Sequence, residues 1–391
     1  MAEIPHFEHN GITIERSEAP PPMGLPGPNV VGWVVTAPDK DESIPFNKPI
    51  PISNLADVSK LDPEGKDRGT GWRAVYETLR RTKVLQYVVV VPEAENVEDT
   101  FNNVLGGYDA ETGQRTGIAA LSECDIKPTI IAAPGFSHKK TIIDALVVVA
   151  KKIRCRVVAD GPSLGEKAAI NLSKELGGEG AGYERVYLVD VMPMVYSKAA
   201  KDLVFVPPST MAVGAMAAVA QWESPGNQGV YIEGLKRTVE YSIADKTTEG
   251  SRLNKFGVSY FTRLDQGGYI LVGNRSVTGE FIPHVGLEDE IARRITAVSQ
   301  RTMSKNLTRV FMEQEINKLN NFLKRLVAEG ILPGGGVYLD PVRNNVDSYK
   351  NGTWYIVFAF GRYSPNEHMV MKLNADDKYI EEFLGDVIDG R

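Results

Sequence analysis

Between Asn29 and Gln266 short β-branched runs alternate with helical stretches, and this alternation constrains the fold of the 391-residue chain more than any other feature. Strand candidates are Val30–Thr36, Tyr87–Val91, Pro128–Ala133, Arg154–Ala159, Arg185–Asp190 and Leu203–Val206. Each is short and bounded by Pro, Gly or Asp. Trp72–Thr82, His138–Ile153, Leu164–Leu176 and Ser209–Gln221 read as helices between them. A chain that alternates in this way builds an α/β fold, a mixed and largely parallel sheet flanked by helices. Met211–Ala220 is apolar or small on every side, so that helix should be buried on most faces.

The ends of the chain read differently. Gly11-Ile12-Thr13-Ile14-Glu15-Arg16 alternates apolar and polar residues, a strand signal. Ala19–Pro28 then holds five prolines and two glycines, which forbid helix and favour a stiff, extended segment. A strand on such an arm makes sense if it pairs with something distant. After Gln266 the pattern gives a strand at Tyr269–Val272, a long helical region over Glu288–Glu329, a break at Gly334–Gly336 and a strand at Trp354–Phe360. His368–Leu373 follows, then an amphipathic stretch with Tyr379, Ile380, Phe383, Leu384, Val387 and Ile388 at helical spacing. The expected organisation is an N-terminal extended arm (1–28), a central α/β domain (29–266), an α+β C-terminal domain (267–373) and a C-terminal arm (374–391).

Composition excludes several classes. Fifty acidic against 44 basic residues give a net charge of −6, which argues against a dedicated nucleic-acid or anionic-membrane binder. Two cysteines, Cys124 and Cys155, cannot make a disulfide framework or a cysteine zinc site. The apolar runs Ile142–Ala150 and Met211–Ala220 fall short of the ~20 residues that span a bilayer, so no membrane insertion is expected. Met1–Asn10 has acids, histidines and a proline where a secretion signal needs an apolar core, so a soluble protein made in the cytoplasm is expected.

Catalytic patterns are sparse. Gly177–Gly182 follows a helix and precedes a strand, the reverse of the order that cradles phosphate, and Gly65-Lys66 is followed by Asp67 instead of Ser or Thr. Ser137, in Pro134-Gly135-Phe136-Ser137-His138-Lys139, could act as a nucleophile with Asp190 and His284 or His368, but Lys139 replaces the final glycine of a nucleophile elbow. A serine there commonly caps a helix instead. His6 and His9 are a close pair on the arm, better read as solvated than as metal ligands. No catalytic residue, cofactor or metal is expected. The rival readings are an α/β serine hydrolase using Ser137 and a sugar- or nucleotide-binding α/β module.

Several segments together carry a resemblance. Asn10–Glu15, Val30–Asp39, Pro45–Pro49, Lys127–Gly135 with the Ala-rich helix to Lys152, Gly273-Asn274-Arg275 after the Tyr269–Val272 strand, Gly330–Leu332 and Pro365-x-Glu367 stand in the order seen in contractile phage tail sheath proteins. The chain resembles that family, shared with R-type bacteriocin and type VI secretion sheaths, over nearly its whole length. Val272 stands where the family usually has tryptophan, so this is a diverged member.

The resemblance implies a structural subunit that polymerises as stacked hexameric rings around a tail tube and contracts. Its implied partners are itself, the tail tube protein, and baseplate and tail-terminator proteins, with no direct nucleic acid; its place is the virion tail, assembled in the host cytoplasm. It also implies a tube-facing C-terminal domain and terminal arms that exchange strands with neighbours. The arm strand Ile12, Thr13, Ile14 and Glu15 suits such an exchange, because an orphan strand can extend a neighbour's sheet. Arg275 is expected to be largely buried among acceptors. In the helix near Thr308–Ala328 the apolar stripe is Met312, Ile316, Leu319, Leu323 and Leu326. The opposite face, with Lys318, Asn321, Lys324 and Arg325, is expected to meet the tube.

Overall fold

The computed structural model describes residue 24, residues 26–177 and residues 182–390. The arm residues Ile12, Thr13, Ile14 and Glu15 lie outside the described residues, as do His6 and His9. Two compact units are present: Pro28–Asp289 with Ser364–Arg391, and Glu290–Tyr363 with the described residues before Pro28.

The larger unit is built on nine strands: β1 (Val30–Thr36), β2 (Pro49–Ile52), β3 (Leu85–Val91), β4 (Ile130–Ala132), β5 (Arg156–Asp160), β6 (Val186–Asp190), β7 (Gln228–Val230), β8 (Val258–Arg263) and β9 (Tyr269–Val272). Their order across the sheet is β7-β9-β8-β6-β5-β4-β1-β3-β2. The strands from β8 to β3 in that order pair in parallel, while β2, β9 and β7 pair antiparallel at the flanks. All seven residues of β1 are buried, as expected of a central parallel strand covered on both faces. Val31, Trp33 and Val35 pack with α1 (Gly71–Arg81) on one face. Val34 points the other way, into a core shared with α2 (Val97–Leu105), α3 (Lys140–Ile153) and α4 (Glu166–Leu176). The apolar helix resolves to α5 (Pro208–Ala217), and every one of its ten residues is buried. It meets α1 on the Trp33 face.

Trp33 also ties three elements through polar atoms. Its indole Nε1 donates to Gln86 Oε1 of β3 at 2.7 Å, and Gln86 Nε2 donates to Val75 O of α1 at 3.2 Å. A Trp33→Phe chain keeps most of the apolar area and strands the buried Gln86 carbonyl. It should lose about 1–3 kcal/mol of stability, read as a lower denaturant midpoint.

Several expectations are corrected. The Leu203–Val206 segment forms the strand Asp202–Phe205 outside the main sheet, in a three-stranded antiparallel sheet with Pro193–Ser197 and Gly234–Leu235. The border expected at 266/267 falls inside the main sheet, between the paired strands β8 and β9. The single helical region Glu288–Glu329 is two helices, α6 (Ile282–Ser299) and α7 (Arg309–Ala328). Thr308 starts α7 by accepting a hydrogen bond from Phe311 N, an ordinary N-cap. Gly334–Gly336 is not simply a break, because Gly335 and Gly336 begin β10 (Gly335–Leu339), which pairs antiparallel with β11 (Ile356–Phe360). In the smaller unit Leu319, Phe322, Leu323 and Leu326 of α7 form a core with Ile331, Leu332 and Val337.

Candidate assembly surface

The C-terminal segment is held near its root and nowhere beyond it. Ser364 Oγ lies 3.5 Å from His284 Nε2. Glu367 accepts from Arg275 Nε at 3.0 and 2.9 Å, from Arg275 Nη2 at 2.5 Å and from Asn254 Nδ2 at 3.4 Å. After Glu367, the described residues make no hydrogen bond or ion pair to the rest of their unit. His368–Leu373 has a strand-like sequence and pairs with nothing described, leaving Met369, Val370, Met371 and Leu373 exposed. The helix α8 (Lys378–Ile388) buries none of its residues, and Ile380, Phe383, Leu384 and Val387 all face solvent. Large contiguous apolar surface of this kind marks an interaction site.

The smaller unit carries a free sheet edge. In the β10–β11 ladder Gly334–Gly361 and Asp340–Tyr355 extend the hydrogen-bonded positions, so Val337 and Phe358 form a non-hydrogen-bonded pair whose main-chain groups point outward. On the β10 side those groups are taken: Asn320 of α7 donates to Val337 O at 2.9 Å and accepts from Val337 N at 2.7 Å. On the β11 side the outward groups of Ile356, Phe358 and Phe360 have no partner among the described residues. An edge of this kind is a template for another strand. A groove of about 710 Å³ lies between α7 and β10, lined by Met312, Ile316, Val337 and Leu339 among others. Met312 and Ile316, expected in the apolar stripe, therefore face an open groove and are only half-buried. Phe322, which the stripe omitted, is buried in their place.

The expected tube-facing residues do not share one character. Asn321 and Lys324 are exposed, and Arg325 is half-buried. Lys318 is mostly enclosed, with its ammonium 3.3 Å from Glu315, so the face is not purely basic. Helix geometry explains the pairing, since residues three apart are neighbours. The Gly-Asn-Arg motif works as a tie. Gly273 has a φ of 125°, and a Cβ there would collide with Ser259 Oγ. Its carbonyl accepts from Tyr187 OH at 2.8 Å. Asn274 Oδ1 accepts from Ser224 Oγ. Arg275 is half-buried, less enclosed than expected, because its partner Glu367 lies on the emerging segment; it also donates to Gly279 O at 2.6 Å.

Ser137 is no nucleophile. It is fully buried, and its hydroxyl donates to Asp160 Oδ2 at 2.8 Å while accepting from Asp160 N at 2.9 Å. It does not cap α3 either, whose N-cap is Lys139 with no side-chain bond. Asp160 also accepts from Gly135 N at 2.8 Å and, through Oδ1, from Ser209 N at the start of α5 at 2.7 Å. Burial pushes the Asp160 carboxyl above its usual range, against the pull of these donors. The other candidates do not join it: Asp190 holds Ser163 N and Arg237, His284 sits beside Glu280 and Ser364, and His368 is exposed on the segment after Glu367. Burial lifts the Cys124 thiol to about 12, and Cys155 is buried as well. Among the described residues no group of His, Cys, Asp and Glu could hold a metal ion, and no helix is long and apolar enough to cross a membrane.

No protein-family model matches the chain. A putative prophage major tail sheath protein of Pseudomonas aeruginosa (strain UCBPP-PA14) is 27% identical over 376 residues, spanning 93% of this chain and 95% of that protein. The tail sheath protein of Escherichia phage P2 is 23% identical over 404 residues, spanning 97% and 98%. The chain is a relative of the tail sheath proteins. Among solved structures, the sheath complex of the PVC extracellular contractile injection system in its contracted state shares the fold. Its TM-score is 0.71 at 15% identity, over 96% of this chain and 100% of that one. The contracted helical sheath of the anti-feeding prophage gives 0.69 at 17% identity, over 94% and 99%. Like its tail sheath relatives, the chain is a structural protein and not an enzyme. Asn320 and the β11 edge were not anticipated from sequence. An asparagine at position 320 between buried Leu319 and Phe322 was the one available signal, since amides are poor helix formers unless they find a partner.

Proposed function

We propose that this tail sheath relative polymerises as stacked hexameric rings around a tail tube, and that the cylinder contracts to drive the tube through a host envelope. Baseplate and tail-terminator proteins bound the polymer, which assembles in the host cytoplasm and ends as part of the virion tail. The observation that carries the reading is one chain holding both halves of a joint: an apolar segment after Glu367 that no described residue covers, and a β11 edge that carries no strand among the described residues. A second copy supplies the missing half of each. The N-terminal strand Ile12–Arg16 is the other donor, and it adds to the smaller unit of a neighbour. Head-to-tail contacts of this sort form rings where the rotation closes and helical stacks where it does not. Negative-stain microscopy of the purified chain should show tubes or ring stacks; a single-subunit species persisting at high concentration would refute the proposal. Deleting Met1–Glu18 should likewise leave a folded subunit that cannot assemble.

The tube contact is proposed at the exposed part of α7, with Asn321 and Lys324 meeting acidic groups on the tube protein. Charge contacts give orientation without a large apolar interface that would resist sliding. They also weaken with salt, the Debye length being ~8–10 Å at 0.10–0.15 M. An Asn321→Glu/Lys324→Glu chain should still polymerise without tubes, while the number of sheathed tubes counted in micrographs falls ~10-fold. Wild-type coverage of tubes by that chain rules out this face.

A further inference from the structure

We infer that Arg275 is the positioning residue that fixes where the C-terminal segment leaves the body, and so sets the reach of that segment to a neighbouring copy. The inference rests on the reading that residues after Glu367 dock on a second copy.

The Arg275 guanidinium is held at two points before it meets the segment. Its Cζ lies 4.0 Å from the Phe281 ring centroid, and its Nη1 donates to Gly279 O at 2.6 Å. Its own backbone forms a bridge with Phe281. The remaining edge, Nε and Nη2, faces the Glu367 carboxylate as a two-pronged donor. This geometry belongs to arginine; a lysine ammonium is a point charge and cannot reproduce the fork. Asn254 adds a third donor to the same carboxylate.

Partly exposed ion pairs of this kind contribute little to stability, so stability is a poor reason for so constrained an arrangement. Direction is a better one. Residues on one side of Glu367 touch the body and residues beyond it do not, which makes this carboxylate the pivot from which the free segment starts. If the pair is broken, Pro365, Asn366 and Glu367 join the free length. Three extended residues add roughly 10 Å of slack. A longer tether lowers the effective concentration of the docking residues at a neighbour and blurs their direction.

Both native cysteines are buried, so nitroxide labels can be placed on introduced cysteines at the exposed positions Lys255 and Lys372 of the full chain. Electron–electron distances between them should be narrowly distributed in the parent chain. The distribution should broaden about twofold in Arg275→Glu and narrow again in the exchange Arg275→Glu/Glu367→Arg. In unlabelled chains the critical concentration for polymer formation should rise at least ~5-fold in Arg275→Glu and recover in the exchange, with the thermal midpoint moving by no more than ~2 °C. Should Arg275→Glu fold poorly, Glu367→Gln alters only the segment and should broaden the distribution in the same sense. An unchanged distribution overturns the clamp, and a broadened distribution with an unchanged critical concentration overturns its role in assembly. Polymer formation by a chain lacking residues 368–391 would instead refute the docking reading, whatever the labels report.

Discussion

A chain stopped after Glu367 should unfold at the same temperature as the full chain, yet sediment as single subunits at every concentration. The first half follows from burial: α8 contributes no buried residue, and Met369, Val370, Met371 and Leu373 are exposed. Removing them therefore costs the isolated fold almost nothing. The second half follows from what those residues gain on a neighbour. Covering Ile380, Phe383, Leu384 and Val387 yields roughly 6–12 kcal/mol gross. Association itself costs an estimated 4–15 kcal/mol in lost freedom, so each joint is marginal and cannot spare its largest apolar element. Analytical ultracentrifugation with a thermal melt on the same sample decides both halves. Normal tubes from the truncated chain, or a melt lowered by many degrees, would contradict the assignment of this segment to the interface.

Asp160→Ala should be the most damaging single substitution in the larger unit, at about 3–5 kcal/mol. Its carboxyl sits at the end of β5 and accepts from Gly135 N, Ser137 Oγ and Ser209 N, of which the last two are buried with no water to turn to. Truncation leaves two buried donors, each worth about 1–3 kcal/mol when unsatisfied, and a third that is part-buried. The start of α5 loses its only side-chain acceptor at Ser209 N, and α5 is the helix with no exposed face to fall back on. Ser137→Ala removes one donor and keeps the rest, so it should cost about 1 kcal/mol. The ratio of the two penalties, from chemical denaturation, tests the claim that Asp160 organises the cluster and Ser137 only serves it. Equal penalties would reverse the roles.

The sequence was legible where burial on both faces writes a continuous β-branched run. The expected bounds of β1 are its observed bounds, and Tyr269–Val272 is likewise exact in extent. Legibility failed where a residue type carries two meanings. Pro49 and Pro51 look like breakers but sit in β2, the edge strand of the sheet, where a missing N–H is tolerated. The turn between α6 and α7 was hidden because residues 300–308 contain neither glycine nor proline; Ser304 takes the positive φ of 69° instead. For the candidate surface, a helical wheel could find the polar side of α7 but not the Glu315–Lys318 pairing that removes one charge from it. The meeting of Arg275 with Glu367, 92 residues later, could not be found by any local pattern. Both motifs were visible separately, and only the fold joins them.

Cys124 and Cys155 are sealed away from anything that a second copy of the chain could touch. In oxygenated medium, accessible thiols on neighbouring copies of a protein become covalent welds. Here both sulfurs are enclosed in the body, and the Cys124 thiol is held protonated by burial, so the nucleophilic thiolate hardly forms. If copies of this chain polymerise as proposed, their joints therefore stay exchangeable in air. On the proposed sheath reading, a cylinder that rearranges once after a long wait keeps that ability because both thiols are sealed inside each copy.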